Sequence, residues 1–169
     1  MHALWVLRQS LSPLLPEGGV RVTQGRLIGV DLGLKRVGVA ISDEEGLFAH
    51  PLAVIPYTNQ DNVVEELILL ARSNGASGFV IGLPKNMDGS LGESARRALK
   101  FCRKLQAKSE MPCILMDERL TTSQAEREMI GLGMSRRKRR LRVDQAASVL
   151  ILENYLQKVR NLADGKKNE

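Results

Sequence analysis

At 169 residues the chain has the length of one domain, enough to bury roughly 70% of its unfolded surface without a metal or disulfide staple. Apolar residues at 43% and charged ones at 26% exclude general disorder, and aromatics at 4% exclude a recognition surface of many stacked rings. The formal charge is +6, and the whole surplus lies between Arg119 and Arg142, where eight basic residues meet only Glu126 and Glu128. That stretch is where a polyanion, either nucleic acid or an anionic membrane surface, would be met.

Residues 1–25 read as a weakly ordered extension, with a short apolar run from Ala3 to Leu7, Pro13 and Pro16, and no cleavage pattern of a secretory signal. Three β-like runs follow: Arg26 to Leu32, Val37 to Ser42 and Leu52 to Pro56, the first two close enough to pair as a hairpin. Asn62 and Glu65 suggest a capping box for a helix carrying Val63, Val64, Leu67, Ile68 and Ala71, which Asn74-Gly75 would end. Gly78 to Leu83 is a continuous apolar run of a doubly buried strand. After the loop Pro84 to Gly89, Ser90 and Glu93 suggest a second capping box for a helix with Leu91, Ala95, Ala98, Leu99, Cys102 and Leu105 on one stripe. Cys113 to Asp117 is a further buried strand, Thr122 or Ser123 can start a helix to about Gly131, and a last helix is expected from about Val143 to Ala163. The order βββαβαβαα implies an α/β fold with a mixed five-stranded sheet and helices on both faces, over residues 26–163, with a polar tail at 164–169.

Several chemistries are closed. Cys102 and Cys113 form no CxxC pair, which excludes a structural zinc site and argues against a disulfide framework. His2 and His50, the two histidines, lie beside no nucleophile motif, so Ser–His or Cys–His catalysis has no support. No apolar run approaches the roughly 20 residues a membrane span needs, and a cytoplasmic location is the expectation.

What remains is carboxylates and cations. Asp31 lies inside an apolar strand, where a lone charge must be paired or bound to a cation, and Gly29 and Gly33 beside it suggest room for a ligand. Glu118 follows a buried strand at the end where open α/β sheets place ligands; Asp117 before it points to the opposite side. Asp144 reads as the first turn of the last helix, directly after the run Arg136-Arg137-Lys138-Arg139-Arg140. Taken singly, each acid could instead cap a turn or helix, and the basic run could be a solvated loop. Together, three carboxylates and a basic segment suit Mg²⁺ or Mn²⁺, which take oxygen ligands and in pairs activate water at a phosphodiester. Lys35 and Arg36, beside Asp31, join Arg136 to Arg140 and Arg142 as candidate phosphate contacts.

Four segments, GVDLGLKRVGVAISD, GLPKNMDGSLGESA, MDERLTTSQAE and RVDQAASVLILENYL, closely resemble the YqgF/RuvX family in order and spacing, over about Arg26 to Val159. The resemblance implies an RNase H-like fold with strand order 3-2-1-4-5. It further implies nuclease activity on pre-16S ribosomal RNA or resolution of Holliday junctions, with Asp31, Glu118 and Asp144 as the catalytic, metal-binding acids. Asp88 and Asp117 are the other carboxylates that could take the place of Glu118. Expected partners are structured RNA, branched DNA or ribosomal precursor particles, for a monomer or homodimer. Two other classes stay open. One is a nucleotide-binding protein, since DLGLKRVG is similar to a phosphate loop of actin-like ATPases, which tight ATP binding would reveal. The other is a non-catalytic nucleic-acid-binding module, marked by polyanion binding without turnover.

Overall fold

The computed structural model describes residues 25–86, 88–117 and 136–165; for 136–145 and 163–165 it describes the backbone course. Chain order is β1 (Arg26–Leu32), β2 (Arg36–Ser42), β3 (Ala49–Pro56), α1 (Gln60–Ser73), β4 (Ala76–Leu83), α2 (Glu93–Ser109), β5 (Cys113–Asp117) and α3 (Arg136–Gly165). The helix expected from Thr122 or Ser123 and the extension at the N-terminus lie outside the described residues.

The sheet order is β3-β2-β1-β4-β5. The short turn after β1 forces β2 to return antiparallel, and β3 does the same against β2. Helices α1 and α2 carry the chain back, so β4 runs parallel to β1 and β5 parallel to β4. This is the RNase H-like arrangement that the resemblance implies. The carboxyl ends of β1, β4 and β5 therefore share one end of the sheet.

Alternation assigns the two faces. Ile28, Val30, Val37, Val39, Phe79 and Ile81 pack with Val63, Val64 and Leu67 of α1 and with Phe101 and Leu105 of α2. The opposite set, Leu27, Ala40 and Val80, packs with Ile151, Leu152, Tyr155 and Leu156 of α3. Helices thus cover both faces, and among the described residues α3 alone covers the second. Cys102 and Cys113 meet inside the first core as free, buried thiols, where the Cys102 thiol and burial push Cys113 up.

Local corrections accompany this frame. The cap of α1 is Asn59, whose side chain accepts from the Asn62 amide at 2.9 Å; four polar residues crowd this start, and the first in extended conformation takes the role from Asn62. Ser90 does not cap α2, which starts after Gly92 without a side-chain cap. Its hydroxyl instead accepts from the Asn86 side chain at 2.8 Å. The last helix begins at Arg136, not near Val143, because Arg, Lys and Leu are good helix formers and no Gly or Pro interrupts them.

The balanced charge outside Arg119–Arg142 is also spatially divided. Helix α2 holds six cations against Glu93, and two of them reach α1: Lys104 and Lys108 each approach Asp61 at 2.9 Å. The hydrogen bond from Lys104 leads the causes that hold the Asp61 carboxyl below its ordinary value. A depressed folded-state value stabilises above the unfolded one, and that stabilisation fades as pH falls through the folded value. Asp61→Asn is therefore expected to narrow the Tm gap between neutral pH and about pH 3. A gap equal to that of the wild type would show that the bridge contributes nothing.

Candidate functional site

Asp31 is the sixth residue of β1 and half-buried. Its strand parity, shared with Leu27 and Gly29, turns it to the α3 face. It pairs in register with Gly38 of β2, and on the other side Gly82 follows Ile81, the partner of Val30. The carboxylate therefore stands in a row whose two neighbouring positions bring no side chain of their own.

Helix α3 starts at this end of the sheet and runs away from it. A Cβ built on Gly29 would lie 2.8 Å from both the Leu152 Cβ and the Ser148 carbonyl oxygen, so the helix backbone is seated directly on Gly29. Farther along, α3 reaches the β2–β3 turn: Leu156 lies over Gly46 and Arg160 donates to the Leu47 carbonyl at 2.8 Å. From the Gly29 contact, two residues of strand lead to Asp31 and one helical turn back from Ser148 leads to Asp144. Both steps cover about 6 Å toward the same end. The structure thus brings the Asp144 backbone abreast of Asp31, two turns into α3 rather than in its first.

This packing also corrects the reading of the two glycines. Gly29 makes room for α3, not for a ligand. Gly33 serves the hairpin, since a Cβ there would collide with the Arg36 carbonyl oxygen. Arg36 is the first residue of β2 and half-buried, while Lys35 is exposed at the turn.

Glu118 lies outside the described residues. Asp117, just before it, pairs with Leu83 in the parallel ladder and shares the parity of Cys113 and Leu115, which face α1 and α2. It also approaches Lys85 at 3.1 Å. Asp117 is accordingly on the opposite face of the sheet from Asp31. Strand β5 is separated from β1 by β4, a lateral distance of about 10 Å. Asp88 serves its turn: it accepts from the Ser90 amide at 2.8 Å, the Ser90 hydroxyl first and that amide second hold its carboxyl low, and Gly89 follows at φ +82°.

Arg136, Arg137, Lys138, Arg139, Arg140 and Arg142 occupy the first two turns of α3, whose first turn holds no acid. A helix N-terminus carries positive partial charge, so consecutive cations there repel both it and one another. An anion relieves that repulsion. Among the described residues no three His, Cys, Asp or Glu side chains cluster, and no helix is long and apolar enough to cross a membrane.

One residue escapes any reading of the sequence. Arg97 of α2 donates through Nη2 to the carbonyls of Leu32, at 2.6 Å, and Gly33, at 2.9 Å. Its partners lie 64 and 65 residues away, beyond the reach of any local pattern.

Residues 25–158 match the family model described as "RuvX: Holliday junction resolvase". A relative from Lactobacillus acidophilus, named "Putative pre-16S rRNA nuclease", is 47% identical over 135 residues, covering 78% of this chain and 95% of its own. One of the same name from Rhodopseudomonas palustris is 40% identical over 147 residues, covering 87% and 90%. Among solved structures, RuvC of Thermus thermophilus is similar with a TM-score of 0.47 and 13% identity, over 75% of this chain and 92% of that one. With the family match spanning all five strands and reaching well into α3, the chain belongs to the RuvX family of nucleases.

Proposed function

We propose that this nuclease is a divalent-metal-dependent endonuclease that processes the 5′ end of pre-16S ribosomal RNA in the cytoplasm. The proposal is supported by Asp31 standing between Gly38 and Gly82 at the strand end, with Ser148 of α3, one helical turn after Asp144, seated at Gly29. Asp31, Asp144 and Glu118 are the residues that would hold the metal, and their all-oxygen donor set fits Mg²⁺ or Mn²⁺. Such ions, two in the proposed site, supply Lewis-acid activation of a water and of the leaving oxygen. The choice of RNA follows the names of the relatives at 40–47% identity.

The chain's own residues bind and register the strand. Lys35, Arg36 and the cations at the start of α3 contact phosphates, giving affinity and orientation without reading bases. Replacing Lys35, Arg136 and Arg137 by Ala is expected to lower the slope of log K against log salt by about one for each phosphate no longer neutralised. An unchanged slope in a binding titration would remove these residues from the interface.

The function is tested with a 5′-extended 16S precursor fragment and a four-way DNA junction, each with Mg²⁺ or Mn²⁺ and again with EDTA. Cleavage of the RNA at the mature 5′ end, lost on chelation, is the expected result. Cleavage of the junction alone would reassign the substrate, and binding without turnover on either would leave a non-catalytic module.

A further inference from the structure

We infer that Arg97 is a positioning residue that holds the β1–β2 turn, and through it Asp31, in register. The inference rests on the nuclease reading of the site. The turn projects into solvent, with Leu34 77% exposed and Lys35 beside it, so little apolar packing holds it. Hairpin tips of that kind open locally at small cost. Three contacts oppose such opening here. The Gly33 amide donates to the Asp31 carbonyl at 3.1 Å, and the Tyr57 amide donates to the Lys35 carbonyl at 2.9 Å. Arg97 supplies the third by bridging the successive carbonyls of Leu32 and Gly33 with one nitrogen.

The guanidinium is itself fixed. Its carbon lies 5.6 Å from the centroid of the Tyr57 ring, a cation–π distance. So Tyr57 holds the turn twice, once through its amide and once through the ring that orients Arg97. The Arg97 Nε is buried with no hydrogen-bond partner among the described residues. A buried donor left unsatisfied is unfavourable, and here it accompanies a geometry that delivers Nη2 to both carbonyls. A lysine ammonium carries donors but no plane to lie on the ring, so it cannot reproduce both contacts. The Leu32 carbonyl belongs to the Leu32–Gly33 peptide, one residue beyond Asp31, so loosening it loosens the end of the strand from which the carboxylate projects.

The test uses the full chain bearing Arg97→Lys, with Tyr57→Leu as a second variant that spares the Arg97 side chain. Amide exchange at Gly33 and Tyr57 is expected to speed up about tenfold in Arg97→Lys, with Phe79 to Ile81 unchanged. On the 16S precursor fragment with Mn²⁺, kcat is expected to fall about tenfold with a smaller rise in KM, because a misplaced acid slows chemistry while of the proposed phosphate contacts only Lys35 and Arg36 lie at the loosened turn. Tyr57→Leu should move both readouts in the same direction by about threefold. An active wild type beside an Arg97→Lys protein of normal kcat, or one whose loss lies wholly in KM, would overturn this inference alone. A wild type without turnover would overturn the nuclease reading and this role with it.

Discussion

Asp31→Asn is expected to cut metal-supported cleavage at least about a thousandfold while nucleic-acid binding and Tm stay near those of the wild type. The change keeps the shape of the side chain and removes its charge. An amide is a poor ligand for a hard cation, and Lewis-acid stabilisation of several kcal/mol corresponds to roughly a factor of ten per 1.36 kcal/mol. Binding survives because the phosphate contacts proposed for Lys35 and the start of α3 are left in place. Stability survives because Asp31 sits half-buried near a strand end, where Asn keeps the size and polarity of the side chain. Single-turnover cleavage, fluorescence anisotropy and a melting curve on the same preparation separate these effects. A variant that keeps cleavage within about tenfold would disprove a metal-binding role for Asp31.

The second large effect comes from a residue with no chemistry. Gly29→Ala places a methyl group 2.8 Å from the Ser148 carbonyl oxygen and the Leu152 Cβ. The first of these is helix backbone and cannot rotate away, so α3 has to lift. Overpacking of this kind costs about 1–3 kcal/mol, which in a chain of this size lowers Tm by roughly 2–4 °C per kcal/mol. Activity falls further than stability, since a shift of about 1 Å in a catalytic group can cost a hundredfold, and α3 carries Asp144. Both readouts should move together. Wild-type kcat in a folded Gly29→Ala protein would show that the seat of α3 does not govern the site.

How much of this can be read in the residues depends on how far apart the partners stand. The strands are legible because each is a short apolar run: RLIGVDL and GFVIGL are buried along most of their length. Asp31 stands out because it interrupts such a run. Contacts across the fold are not legible. Gly29 reads as space for a ligand, since nothing in GVDLG shows that Ser148 and Leu152 lie against it. Arg97 goes unnoticed for the same reason. At α1 the ambiguity is local, with TNQDN offering several caps and only backbone conformation choosing Asn59. The basic run reads as a loop because its charges disfavour helix, whereas its propensities favour it.

The grip of α3 on the far end of the sheet, through Leu156 and Arg160, also sets a time order. These anchors leave the ribosome after every acid assigned to the site. A growing chain ending near Leu150 holds Asp31, Glu118 and Asp144 yet lacks the fastening that brings the first and last abreast. Such a fragment should be inert, and a nascent chain would gain activity only after Leu156 and Arg160 have emerged and seated.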